Sequence, residues 1–120
     1  MKDAMTVLCV GNSRFCNSLC AMLTDDEGLR ALRAITLIEA IRIFGENPDI
    51  DVIVLDEGFE RRMDTMEFVV EIRRVSPVLM YVCCSDKNIG DQFMRAGCHN
   101  YLLNRKQIVE ALDDFASSRL

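Results

Sequence analysis

The 120-residue chain has no tryptophan, two tyrosines, two prolines and a single histidine, and its 14 basic residues are outnumbered by 19 acidic ones. A net charge of −5 removes the basic face that sequence-independent phosphate-backbone binding needs, so nucleic acid is not an expected direct partner. A protein or a small ligand is. No apolar run approaches a bilayer span, and no charged-then-apolar leader with a cleavage site is found, so no membrane association is expected and the location is read as cytoplasmic. No stretch reads as a linker, a repeat or a low-complexity segment, and residues 1–120 are expected to form one domain. None of the cysteine spacings is Cys-x-x-Cys.

Half of the residues are apolar, enough to bury a core and to exclude disorder. The six cysteines (Cys9, Cys16, Cys20, Cys83, Cys84 and Cys98) sit inside apolar patterns, which suits reduced, buried thiols better than a secreted disulfide framework.

Apolar runs alternate with helical spacing along the chain. TVLCV (6–10) reads as a strand, GNS as a break, and Phe15, Leu19, Met22 and Leu23 recur as one helix face. After a loop around DDEG (25–28), LRALRAI (29–35) makes a second strand, and TLIEAIRIFG carries Thr36 and Glu39 as a capping box with Gly45 as the stop. VIVLD (52–56) is the third strand. A helix is expected from near Asp64 to Ser76 and Pro77, and VLMYVCC (78–84) is the fourth strand. The next helix contains Ile89, Phe93 and Ala96 and stops at Gly97; YLL (101–103) is a short fifth strand, and Ile108, Ala111, Leu112 and Phe115 form the inner face of a last helix.

Five such repeats imply an α/β fold: a flavodoxin-like, doubly wound, five-stranded parallel sheet of order 2-1-3-4-5 with five helices on its two faces. The switch point lies between the first and third strands, so the GNS and DEGFE loops should face each other across one crevice. Asp56 ends the third strand at that crevice. It is placed either to do chemistry there or to cap its loop through backbone amides, which would depress its pKa; burial without partners would raise it.

Over nearly its full length the chain resembles a bacterial response-regulator receiver domain. The likeness is carried by the VLCV strand, VIVLD ending in Asp56, MDTMEFVVEIRR, SPVLMYV, and AGCHNYLL, where Gly97 precedes Tyr101 by the family interval. The resemblance implies a phosphoacceptor at Asp56. It also implies a Mg²⁺ held by an acidic pair after the first strand, by the acceptor, and by a backbone carbonyl two residues beyond it, at Gly58. The metal offsets like-charge repulsion during phosphoryl transfer and takes hard oxygen ligands.

Here the acidic pair aligns with Gly11 and Asn12, leaving Asn12, Asp56 and Gly58 as weak candidate ligands. The hydroxyl that bonds the phosphoryl group aligns with Val82, or with Cys83 after a one-residue slip. The phosphoryl-pairing lysine aligns with Asn104, with Arg105 or Lys106 as the nearest cations, and Glu60 replaces a common proline. Only Asp56 is kept among the five side-chain positions on which phosphorylation and switching depend. The expectation is a degenerate receiver that works by protein contact, is not an enzyme and needs no cofactor. The alternative is a receiver phosphorylated at Asp56 by a histidine kinase with Mg²⁺.

Tyr101 aligns with the aromatic that receivers turn on activation. By the same resemblance the contact surface is formed by the fourth helix, fifth strand and fifth helix, with Ile89, Phe93 and Tyr101 as candidates. The partner is a histidine kinase or an output or scaffold protein, with homodimerisation as a further option. Two rivals come from other classes: a redox or metal sensor built on Cys83, Cys84 and Cys98, and a flavin mononucleotide binder using Gly11, Asn12 and Ser13 at a helix start.

Overall fold

Strands and helices alternate from end to end: β1 (Met5–Val10), α1 (Arg14–Thr24), β2 (Leu29–Ala34), α2 (Leu37–Glu46), β3 (Val52–Asp56), α3 (Arg62–Val75), β4 (Leu79–Cys83), α4 (Lys87–Ala96), β5 (Asn100–Leu102) and α5 (Arg105–Ser118). This computed structural model describes residues 5–25, 28–57 and 61–118. The five strands pair in parallel in the order β2-β1-β3-β4-β5, as the repeated apolar runs imply.

Every residue of β1 is buried, and so are the first four of β3, because both strands are covered on two faces. The period-2 alternation of side chains then divides the core in two. Leu8, Val10, Ile53, Leu55, Met80 and Val82 pack with residues of α2, α3 and α4, whereas Met5, Val7, Cys9, Val52 and Val54 pack with Leu19 and Leu23 of α1 and Ile108 and Leu112 of α5. Ile53 has no exposed surface, and truncating it to alanine should cost about 2–5 kcal/mol. Edge strand β2 is only partly covered.

Side-chain caps set several helix starts. Thr36 accepts from the Glu39 amide at 3.0 Å, as its capping-box spacing predicts. Several boundaries differ from expectation. Helix α2 runs through Gly45 to Glu46 and is closed by Asn47, whose side-chain amide donates to the Ile43 carbonyl at 2.8 Å; one helical glycine costs only about 1 kcal/mol. Helix α3 begins at Arg62, with Arg61 as a cap that makes no side-chain bond, which leaves Asp64 in the first turn where the helix dipole favours it. Strand β5 spans Asn100–Leu102, because the Leu103 amide leaves the sheet to donate to Gln107 Oε1 at 2.8 Å.

Among the described residues no helix is long and apolar enough to cross a membrane. The exposed apolar side chains include a run on and just before α2: Ile35, Ile38 and Ile41 are 47, 82 and 56 % exposed.

Candidate functional site

Strand register builds the site. Val10 of β1 lies opposite Leu55 of β3, so the next residue, Gly11, comes level with Asp56 at the carboxyl ends of the strands. Asp56 is half-buried there. Its carboxylate accepts the Ser13 hydroxyl at 2.8 Å and also the Ser13 backbone amide. The Ser13 oxygen in turn accepts the Cys16 amide at 3.0 Å and so caps α1. The anion at the start of α1 is therefore the protein's own carboxylate, in the place where a flavin phosphate would have to sit.

Gly11 is needed for this arrangement. A Cβ at residue 11 would collide with the Asp56 carboxyl group, which fills the space a side chain would take. Burial pushes the Asp56 pKa above the ordinary carboxylate range, and the nearby Glu57 charge adds to that; the two Ser13 donors and the Arg33 charge pull it back. Both sequence-based expectations for Asp56 thus operate together, and burial outweighs the amide.

Asn12 is exposed, and its side-chain oxygen receives Arg33 Nη2 at 3.5 Å. Cys83 lies opposite Asp56 in the parallel ladder, and packs with the α1 and α5 layer. Val82 turns into the α2–α4 layer and is fully buried. The one-residue slip therefore gives the true neighbour of Asp56, a thiol whose pKa is pushed well up, first by burial and then by the Asp56 charge. It stays protonated, a weak donor at best.

Asn104 is the N-cap of α5: its side-chain oxygen accepts the Gln107 amide at 2.9 Å. It also lines an open groove of about 550 Å³ with Met22, Lys106, Val109 and Glu110. The Asn-x-x-Gln spacing was legible as a capping signal and was passed over. Gly58 and Glu60 lie outside the described residues, as does the side chain of Arg105.

No family model matches the chain, and no curated protein matches it. Solved structures do. The structure of a two-component response regulator from Clostridium difficile matches with a TM-score of 0.78 at 18 % identity, covering 96 % of this chain and 97 % of that one. A response regulator receiver domain protein from Clostridium thermocellum matches with a TM-score of 0.74 at 21 % identity, covering 96 % of each. This is the receiver fold of response regulators. The CheX–CheY–BeF3–Mg²⁺ complex from Borrelia burgdorferi also matches, with a TM-score of 0.70 at 17 % identity over 94 % of this chain and 90 % of that one.

The Mg²⁺ that the receiver fold implies does not suit the residues present. Gly11 offers no side-chain oxygen, the Asn12 oxygen is turned to a guanidinium, and Asp56 is tied to Ser13. Among the described residues no group of three or more His, Cys, Asp or Glu side chains is placed to hold a metal. Among the described residues that leaves Asp56 and the neighbouring Glu57, whose Oε1 is held by Ser85, for a cation that prefers several hard oxygens.

Tyr101 is half-buried beside the α2–α4 core, and its ring lies so close over Gly90 of α4 that a Cβ there would strike it. Ile89 is half-buried on the same core. Phe93, expected as a surface contact, is a correction: it is 0 % exposed. It follows Ile89 by one helical turn, and the 89, 93, 96 spacing that identified the helix is the spacing of its inner face. On this side Met94 and Leu103 are the large apolar residues that reach solvent.

The cysteines also divide differently from the expected Cys83, Cys84 and Cys98 group. Cys84 and Cys98 are buried, and Cys84 adds to the upward push that burial gives the Cys98 pKa. Cys83 belongs with Cys9, Cys16 and Cys20, where the Cys9 and Cys20 thiols share a hydrogen bond. Cys16 and Cys20 stand one turn apart on α1, a signal available in the sequence. None of the six is in a disulfide, and burial raises the pKa of Cys16 and of Cys98 to about 12. Thiols of that kind are packing residues and poor nucleophiles.

Three further residues were missed. Arg33 reaches the crevice from β2, and Ser85 donates to Glu57 Oε1 at 3.1 Å, tying the loop after β3 to the loop after β4. A strand arginine between alanine and leucine was the available hint for Arg33.

Proposed function

We propose that the chain is a receiver-like signalling domain of a bacterial two-component system that acts through protein contact, without a bound cofactor and without Mg²⁺-dependent phosphotransfer at Asp56. The observation that carries this reading is the commitment of Asp56. Its carboxylate fills the space over Gly11 and is held by Ser13, while the positions that would supply metal oxygens, a phosphoryl-binding hydroxyl and a lysine hold Gly11, Asn12, Cys83 and Asn104. No side chain in this set suggests a catalysed reaction, so the role is binding, in the cytoplasm where such systems work.

The contact surface that fits best is α2, and its occupant is a second copy of the chain. Ile38, Ile41 and Gly45 recur at helical spacing on its outer side, with Ile35 exposed just before the helix, and beyond α2's own backbone Gly45 has nothing within 4 Å of where a Cβ would be, so another helix can approach there. The flank carries Glu39, Arg42 and Glu46, with Arg42 and Glu46 paired at 3.1 Å. Two copies of α2 packed antiparallel about a two-fold axis bring Glu39 of one copy opposite Arg42 of the other, twice over. One helix stripe covers less than the roughly 800 Å² per partner of a standard stable interface, so association is weak and concentration-dependent.

Light scattering across a concentration series tests it. Mass should rise with concentration, Ile38→Lys should keep the chain monomeric, and the double exchange Glu39→Arg with Arg42→Glu should associate where each single exchange does not. A wild type that stays monomeric at millimolar concentration removes this surface assignment.

A further inference from the structure

We infer that Arg33 stands in for a divalent cation at the carboxyl ends of the strands: its guanidinium is a fixed positive charge in the crevice, and it excludes a metal ion from Asp56 and Asn12. The inference deepens the degenerate-receiver reading and rests on it.

Strand alternation puts the side chain there. In β2, Leu32 and Ala34 pack into the α2–α4 layer, so Arg33 between them turns to the α1 side, and the register sets it beside Cys9. The Gly11 amide donates to the Ala34 carbonyl at 3.0 Å, which fixes the loop after β1 against the end of β2. From that position Nη2 reaches the Asn12 side-chain oxygen at 3.5 Å, while Nε is buried without a hydrogen-bond partner among the described residues. The Arg33 charge also favours the ionised forms of Asp56 and of the Cys16 thiol.

Arginine keeps its proton at any working pH, so this charge is permanent. A divalent ion approaching the Asn12 oxygen would meet a cation already there, at a range of a few ångström that salt screens little. A guanidinium also cannot exchange ligands, so unlike a metal it has no open coordination position to offer an incoming phosphoryl oxygen. The pairing explains Asn12 as well. A carboxylate there would hold Arg33 as an ion pair, whereas the amide leaves the charge to act on Asp56.

Mn²⁺ serves as the probe, read as paramagnetic broadening of the amide signals of residues 11–16 in the full chain. Wild type and Arg33→Lys should show no saturable broadening at this site. Arg33→Glu should bind Mn²⁺ at least ~10-fold more tightly than wild type, and adding Asp56→Asn to it should abolish the effect. Arg33→Gln, which removes the charge with less change in size, supplies the same comparison if Arg33→Glu does not fold. If wild type binds as tightly as Arg33→Glu, both this inference and the degenerate reading fall. If none of the folded variants binds, Arg33 does not exclude the metal, and the degenerate reading stands on Gly11 and Asn12 alone.

Discussion

Ser13 and Asp56, 43 positions apart in the chain, are joined by a 2.8 Å hydrogen bond in which the serine hydroxyl donates to the carboxylate. The same serine oxygen closes the first turn of α1, so the start of that helix is fastened to the end of the central strand β3. A carboxylate at such a position is consistent with phosphoacceptance, yet here it accepts two hydrogen bonds from Ser13 that serve structure. The account of function turns on that commitment.

Asp56→Asn should leave stability at pH 7 unchanged or slightly higher. Burial raises the Asp56 pKa, so the folded state favours the protonated acid. Its contribution to stability is then fully present below the unfolded pKa near 3.8 and is lost as pH rises through the folded pKa. The amide keeps an oxygen for Ser13 and carries no charge to desolvate. Urea denaturation of both proteins at pH 7 and pH 4 checks this: the advantage of Asn should shrink at the lower pH, and a wild type more stable than the variant at pH 7 contradicts it.

Gly11→Ala should cost about 1–3 kcal/mol, because the added methyl overpacks the Asp56 carboxyl and breaks its bond to Ser13. Asp56→Gly in the same chain should recover part of the loss by vacating the space. Denaturant melts of the single and double variants measure the coupling, and strictly additive losses speak against the packing explanation.

Gly90→Ala should drive the Tyr101 ring off α4, since the new Cβ would meet the ring. The expected loss is roughly 1–3 kcal/mol, with a rise in Tyr101 exposure. Tyrosine fluorescence quenching by iodide, compared with Tyr81 through a Tyr81→Phe background, reads the ring directly. An unchanged quenching constant means the ring does not rest on Gly90.

His99 joins an acid-sensitive clamp. Arg73 donates to the carbonyls of Gly97, Ser76 and Val78 at 3.2, 3.1 and 2.8 Å, and His99 Nδ1 accepts the Met80 amide at 3.2 Å with Arg73 Nη2 at 3.1 Å. Burial and the Arg73 charge lower the His99 pKa, so this contribution is present above the unfolded value of 6.5 and is lost as pH falls from there toward the folded pKa. His99→Asn retains an acceptor oxygen and does not titrate. Its stability should fall less than that of wild type between pH 7 and pH 5; equal slopes rule out the clamp as the source of acid sensitivity.

The fold was legible because β1, β3 and β4 are continuous apolar runs and the helices between them carry inner-face spacing that local physics makes unambiguous. Asp56 was legible for the same reason, as the first charge after a buried strand. The rest of the site depended on register. Whether Val82 or Cys83 stands beside Asp56 is a one-residue question that side-chain alternation answers only when the strands are paired. Arg33 enters from an edge strand 23 residues before Asp56, and no sequence spacing connects them. Phe93 went to the surface by analogy although its own spacing placed it inside. The α2 stripe was hidden because an exposed isoleucine and a buried one look alike in a pattern of apolar residues.

The most direct test is an NMR titration of the full chain with Mg²⁺ and then with beryllofluoride, following the amides of residues 11–13, 56–57 and 82–85 and of Tyr101. The account predicts no saturable shift at any of them, because the carboxylate is held by Ser13 and no group of three or more acidic, histidine or cysteine side chains among the described residues is placed to hold a metal. Saturable shifts at Asp56 that extend to Tyr101 would contradict it and show a working phosphorylation switch.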